Sequence, residues 1–282
     1  MKPPPFEYHA PDTVEEALGL LEGDDTQVLA GGQSLVQLLK FRRIRPAALV
    51  DINSVAGLDA IEPADGGLRI GALVRQQRLL EDDLVAREQP LLREAARHVG
   101  YPETRRRGTV GGSLAFGAPW AELTAAAVAL DATIELRSSS GARELRAREF
   151  FLGPNETALA QGELVVAVRF RARAARSGAA CHEVSARHRD YARVVAAAVV
   201  DLDEDGSCLE ATVTLLCVAE RPYVVDCTGA VRDGTDVAEL LDGITPPDDI
   251  EASAAYRRRV APVLAGRALR DAAAQAGGEE VA

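Results

Sequence analysis

A chain of 282 residues, 47% hydrophobic and 27% charged, has an ordinary globular composition, which excludes a disordered or fibrous protein, and its length favours two domains over one. The net charge of −11 excludes nucleic acid as a partner, because phosphate binding needs a basic footprint. No apolar run reaches the roughly 20 residues of a bilayer span, and Met1-Lys2-Pro3-Pro4-Pro5 has no apolar stretch behind it, so neither a membrane span nor a secretory leader is expected and the expected address is cytoplasmic.

In chain order, Thr13-Val14-Glu15-Glu16 reads as a capping box opening a short amphipathic helix on Val14, Ala17, Leu18 and Leu21. Val28-Leu29-Ala30 predicts a strand that runs into Gly31-Gly32-Gln33-Ser34, with Ser34 as N-cap of a helix over residues 35–39. Leu49-Val50-Asp51-Ile52 and Leu68-Arg69-Ile70-Gly71-Ala72 predict further strands. A helix over residues 91–99 leads into a polar, arginine-rich loop and then a second glycine turn, Gly108-Thr109-Val110-Gly111-Gly112-Ser113-Leu114. Residues 121–130 read as an alanine-rich helix. Thr133-Ile134-Glu135-Leu136-Arg137 alternates as a strand, turns at 138–141 and returns near Leu145, and residues 165–170 form another strand. Residues 171–178 are small and basic and read as a linker. Apolar runs at 194–202 and 209–218, joined by Asp203-Glu204-Asp205-Gly206, predict an antiparallel pair, followed by helices near 237–241 and 252–274 and a frayed tail after Gln275. The domain boundary therefore falls near residue 172, dividing the chain into 1–172 and 173–282.

A diphosphate needs backbone N–H groups aimed at its oxygens and an approach that a Cβ would block, and glycines at strand-to-helix turns supply both. Ala30-Gly31-Gly32-Gln33-Ser34 and Thr109-Val110-Gly111-Gly112-Ser113 each have this character, with hydroxyls alongside. Neither is G-x-G-x-x-G, and no G-x-x-x-x-G-K-[ST] exists, so dinucleotide-fold and P-loop readings lack support. Cys181, Cys208, Cys217 and Cys227 contain no C-x-x-C pair and the histidines number four, so no zinc or iron–sulfur site is expected in this chain.

Ala30-Gly31-Gly32-Gln33-Ser34-Leu35 and Gly108-Thr109-Val110-Gly111-Gly112-Ser113-Leu114-Ala115 resemble the paired flavin motifs of the medium, FAD-binding subunit of molybdenum hydroxylases, the carbon monoxide dehydrogenase and xanthine dehydrogenase type. The resemblance runs over nearly the whole chain, through Leu49-Val50-Asp51-Ile52-Asn53, Ile70-Gly71-Ala72, Phe151-Leu152-Gly153, Asp190-Tyr191-Ala192 and Tyr256-Arg257. It implies an α+β fold: a two-part FAD-binding domain, split near residue 55 and carrying both glycine-turn diphosphate motifs, then a smaller domain with an antiparallel sheet and helices.

It also implies a non-covalently bound FAD with its diphosphate wrapped by Ala30, Gly31, Gly32, Gln33, Ser34 and Leu35 and by Thr109, Val110, Gly111, Gly112 and Ser113. Glu122 stands where the family has an acid beside a ribose or ribityl hydroxyl. Asp190, Tyr191 and Arg193 match the segment that reaches the isoalloxazine from the second domain, and Val165 matches an apolar position near the ring. Arg189 replaces a usual glycine, Thr104 and Arg106 replace apolar and amide-bearing residues, and Trp120 replaces a small one. The implied partners are a large molybdopterin subunit, which hydroxylates the substrate, and a small iron–sulfur subunit. Electrons then pass through this hetero-oligomer's flavin to an external acceptor, and no catalytic acid, base, nucleophile or metal site is expected in this chain. Two other readings stay open on the sequence: a self-contained flavin oxidoreductase of the same fold, and a flavin-free scaffold.

Overall fold

The computed structural model describes residues 2–64 and 66–279. The chain begins with a parallel three-stranded sheet of β1 (Glu7–His9), β2 (Thr26–Leu29) and β3 (Ala48–Asp51), with β3 in the middle. Helix α1 (Val14–Leu21) buries Ala17, Leu18 and Leu21, which its sequence spaces onto one face. Its Thr13 hydroxyl accepts the Glu16 amide at 3.2 Å, but the Glu16 carboxylate accepts from the Asp12 amide, one residue before a standard capping box. Between β2 and β3 runs α2 (Leu35–Lys40). Ser34 holds the N-cap place, but its backbone is already helical and its hydroxyl caps nothing. The Val36 amide bonds to the Gly32 carbonyl, so helical pairing starts before Ser34.

The middle of the chain forms an antiparallel sheet, in the order β4-β5-β10-β6-β7, and the helices that cover it. Strands β4 (Ile61–Ala64) and β5 (Gly67–Gly71) precede a run of six helices: α3 (Gln76–Glu81), α4 (Asp83–Glu88), α5 (Pro90–His98), α6 (Pro102–Arg107), α7 (Val110–Phe116) and α8 (Glu122–Ala129). Then come the hairpin β6 (Thr133–Ser138) and β7 (Gly141–Arg146), α9 (Ala147–Phe150), the short pair β8 (Phe151–Gly153) and β9 (Glu156–Thr157), and β10 (Leu164–Phe170). The arginine-rich segment expected as a loop is helix α6. Pro102 starts it, and the buried Arg105 guanidinium donates to the Val99 and Gly100 carbonyls at 2.9 and 2.7 Å. Six basic-to-polar letters thus hide one inward-facing arginine, which periodicity of apolar residues does not register.

The last third is an antiparallel sheet of β11 (Ser177–Ser185), β12 (Ala192–Leu202), β13 (Cys208–Leu216) and β14 (Tyr223–Asp226), with α10 (Thr228–Asp233), α11 (Val237–Leu240) and α12 (Ala254–Gly277). The expected linker is shorter than read, since Ser177 and Gly178 open β11. The tail is firmer than read as well: α12 continues to Gly277 and closes on Gly278 in the left-handed region, while residues 280–282 lie outside the described residues. Helix α12 crosses β11 and β12 closely enough that a Cβ on Gly178 would lie 1.9 Å from the Ala272 carbonyl oxygen. Ala265, Ala268 and Ala272 fill the seam with small side chains, beside Leu269. One core joins the middle and last regions, running from Leu68, Ile70 and Leu123 to Cys181, Val195, Ala197 and Leu216. No helix among the described residues is long and apolar enough to cross a membrane.

The α12 seam gives a direct stability test. Gly178→Ala forces backbone apart at a site with no slack, and is expected to cost roughly 1–3 kcal/mol, a usual range for overpacking. Urea titration of the full chain should show the midpoint falling; an unchanged midpoint would mean the helix does not sit this close in solution.

Candidate functional site

The two glycine motifs, about 75 residues apart in sequence, meet through their backbones. A Cβ on Gly31 would fall 2.2 Å from the Arg107 carbonyl oxygen and 2.9 Å from the Gly108 Cα, and one on Gly111 would fall 2.5 Å from the Ala72 Cβ. Gly32 sits at φ +72°, where a side chain is strained. The glycines at 31 and 111 are therefore required by protein packed against them, before any ligand is considered.

The motifs differ in how their amides are used. In the second, Val110, Gly111 and Ser113 donate to the carbonyls of Val74, Ala72 and Thr109, and the Gly112 amide donates to the Thr109 hydroxyl at 3.1 Å. This segment is the N-terminus of α7, capped by Thr109, and not a free turn; only an isolated bridge between Arg75 and Thr109 stands where a preceding strand would be. In the first motif, the amides of Gly31, Gly32, Gln33 and Ser34 donate to no acceptor among the described residues. Four neighbouring free donors on a loop fixed at both ends suit an anion such as a diphosphate.

Residues that sequence reasoning left out of the site tie the motifs together. The Asn53 amide side chain donates to the Ala30 carbonyl at 2.9 Å. Arg75 donates to Asn53 Oδ1 at 2.7 Å and to the Arg107 carbonyl at 2.6 Å. Asn53 is held by Asp51, whose second oxygen accepts from the Tyr8 hydroxyl at 2.6 Å. Burial pushes the Asp51 carboxyl up, but hydrogen bonds from Tyr8 and Asn53 and the Arg75 charge outweigh it and hold it below its ordinary value. Arg75 stands just beyond β5 among polar residues, so only the fold reveals its reach.

The other expected site residues gather along the segment between Tyr101 and Glu122. Tyr191, 58% exposed, lies against Trp120 with ring centroids 4.8 Å apart and planes tilted by 39°, and Arg189 lies over the Tyr101 ring at 5.7 Å. Thus the loop at residues 186–191 flanks both ends of the stretch that carries the second motif. Arg189 has φ +68°, in the left-handed region that favours glycine. Buried Nε atoms of Arg189 and Arg193 have no partner, whereas Asp190 is already bonded to Arg187 at 3.2 Å. Val165 is buried at a register shift in β10, one residue from Val166, whose carbonyl accepts the Ala72 amide against which Gly111 packs.

Glu122 starts α8 and is buried, facing the His98–Glu183 pair (3.5 Å). Burial pushes its carboxyl up to about 8, with the Glu183 charge adding to the rise and its own amide and His98 opposing it. The His98 imidazole is itself raised, chiefly by its bond to Glu183. Free amides at one end, unpartnered arginine nitrogens at the other and a buried carboxyl between them in sequence fit a cofactor with diphosphate, hydroxyl and ring portions.

The Glu122 shift has a signed consequence. Below about 4.5 folded and unfolded chains both hold the proton. As pH rises from there towards about 8, the unfolded chain ionises while the folded one does not, so stability falls across this window and levels off above it. Glu122→Gln removes that penalty. In the FAD-free chain its melting temperature should match the parent near pH 4.5 and exceed it increasingly up to pH 8; a constant difference would contradict the assignment.

The chain is similar to known proteins along nearly its whole length. Residues 4–170 match the family "FAD binding domain in molybdopterin dehydrogenase", and residues 179–272 match the "CO dehydrogenase flavoprotein C-terminal domain". The chain is 40% identical to the 6-hydroxypseudooxynicotine dehydrogenase complex subunit alpha of Paenarthrobacter nicotinovorans, over 96% of each chain. It is 33% identical to the carbon monoxide dehydrogenase medium chain of Afipia carboxidovorans, over 98% of this chain and 99% of that one. A carbon monoxide dehydrogenase structure from Hydrogenophaga pseudoflava superposes with a TM-score of 0.93 at 32% identity, covering 98% of this chain and 99% of its counterpart. With its paired glycine motifs, its antiparallel C-terminal sheet and full-length likeness, the chain belongs to the FAD-binding medium subunits of the molybdenum hydroxylase family.

Proposed function

We propose that this chain relays electrons within a multi-subunit molybdenum hydroxylase, taking them from iron–sulfur clusters in a small partner subunit and passing them to an external acceptor. A large molybdopterin subunit hydroxylates the organic substrate. The observation that carries this reading is the convergence of the two motifs, with the free amides of residues 31–34 beside the α7 N-terminus. Similarity to one subunit of a named dehydrogenase complex and to medium chains supports a hetero-oligomer, and we place it in the cytoplasm. The division at residue 172, with a further split near residue 55, is part of the proposal. It is supported by the parallel sheet ending at Asp51 and the last sheet beginning at Ser177.

Bound FAD supplies the chemistry that links single-electron carriers to a two-electron acceptor. The chain's part is to hold and tune it. The amides of Gly31, Gly32, Gln33 and Ser34 bind the diphosphate, with the Ser34 and Ser113 hydroxyls near and the positive end of α7 behind Thr109, Val110, Gly111 and Gly112. Ala30 and Leu35 bound the first loop. Glu122, with its carboxyl pushed up to about 8, would offer a sugar or ribityl hydroxyl both a donor and an acceptor. Tyr191, backed by Trp120, would shield the ring from water, and Val165 would supply apolar wall. Arg193, at the start of β12 three residues after Asp190, would supply a cation beside the ring.

Neither motif contains a histidine or cysteine, so the cofactor is held without a covalent bond. Acid precipitation should release yellow FAD into the supernatant; colour retained on the polypeptide, with a matching mass increase, would refute this. In stopped-flow absorbance, flavin bleaching by the organic substrate should require both partner subunits. Bleaching of the lone chain at the full complex's rate would replace the relay with a self-contained oxidoreductase.

A further inference from the structure

We propose that Arg75 is a positioning residue for FAD, a single guanidinium that fastens the first glycine motif to the second and sets the gap between them. Arg75 lies outside both motifs, in the turn between β5 and α3, with extended backbone (φ −70°, ψ 139°). Its main chain is pinned along the second motif, because the Gln76 amide donates to the Gly108 carbonyl and the Val110 amide to the Val74 carbonyl, each at 2.9 Å. From that fixed base the side chain reaches two acceptors. One nitrogen bonds the Arg107 carbonyl, the atom closest to Gly31. The other bonds Asn53, which bonds the Ala30 carbonyl immediately before Gly31.

Both arms therefore end on main-chain oxygens at the crossing of the two loops. A planar fork meets the two acceptors from two separate nitrogens, whereas the three donors of lysine radiate from one atom and do not span the same separation. Asp51 and Tyr8 hold Asn53 from the β3 and β1 side, so the relay is anchored in the parallel sheet at one end and beneath α7 at the other. The free amides of residues 31–34 follow directly after the fastened Ala30. A change in the fastening moves those donors relative to the α7 N-terminus, and the affinity for a diphosphate depends on both being in register. The inference rests on the FAD-binding domain established above.

The test uses the full chain, stripped of flavin and titrated with FAD, with binding read from flavin fluorescence and the visible circular dichroism of the bound form. Arg75→Gln and Asn53→Ala should each raise the FAD dissociation constant roughly ten- to a hundredfold, the range for hydrogen bonds to a charged group. The double variant should lose no more than the worse single one, because both cut the same relay. Arg75→Lys keeps the charge but not the fork, and should bind FAD nearly as weakly as Arg75→Gln. Full recovery in Arg75→Lys would overturn the proposal in favour of simple charge attraction. Additive losses in the double variant, or wild-type affinity in Arg75→Gln, would overturn it too. Apoprotein melting temperatures should shift by only a few degrees or so across the set. Should Arg75→Gln fail to fold, Arg75→Lys and Asn53→Ala decide the matter. A parent chain that binds no FAD would refute the flavin reading itself, a result distinct from parent-like binding in the variants.

Discussion

A Cβ on Gly31 would lie 2.2 Å from the Arg107 carbonyl oxygen, so the two glycine motifs touch through main chain with no side chain between them. Such contact leaves little room for adjustment, since backbone on both sides belongs to larger units. One side is the β2–α2 connection of the parallel sheet; the other is the α6–α7 junction over the antiparallel sheet. Gly111 repeats the arrangement one layer deeper against Ala72. The parallel sheet, the antiparallel sheet and the helices between them must therefore be in place before the free amides of residues 31–34 face a defined space.

The C-terminal sheet is joined to this frame by packing and by charge. Its residues Cys181, Val195 and Leu216 share a core with Leu68 and Leu123, so the two regions do not separate without exposing apolar surface. At the same seam lie Glu122, Glu183 and His98, with His182 bonded to Asp271 of α12 at 2.6 Å. Burying carboxyls is expensive unless they are paired or neutral; here burial drives Glu122 towards the neutral form, while Glu183 has His98 beside one oxygen and no partner on the other. A residue held at such cost beside the second domain's approach is consistent with a site that needs a polar group where stability alone would choose an apolar one.

Much of this was legible in the letters, and what was missed shares one cause. The helix at Val14, the β6–β7 hairpin and the β12–β13 pair carry periodicity or turn chemistry that local physics reads directly. Strand β11, Ser-Gly-Ala-Ala-Cys-His-Glu-Val-Ser, carries neither; it is a strand because β12 pairs with it and α12 covers it, and its small residues exist to admit that helix. Helix α6 was hidden because its one buried residue is an arginine satisfied by carbonyls. The glycine motifs stood out by composition, yet the reason for their glycines, close contact with the opposite loop and with Ala72, depends on long-range packing. Arg75 and Asn53 were silent for the same reason: each bonds partners more than 20 residues away.

Trp120 is the only tryptophan in the chain, and it lies against Tyr191 at the junction of the two regions. Its indole emission therefore reports from one known place. Any movement of the 186–191 loop alters the ring's neighbours and its exposure to water, and flavin absorbs in the band where indole emits. The protein thus carries an intrinsic optical gauge at the place where the 186–191 loop meets the rest of the chain, with no competing tryptophan to subtract.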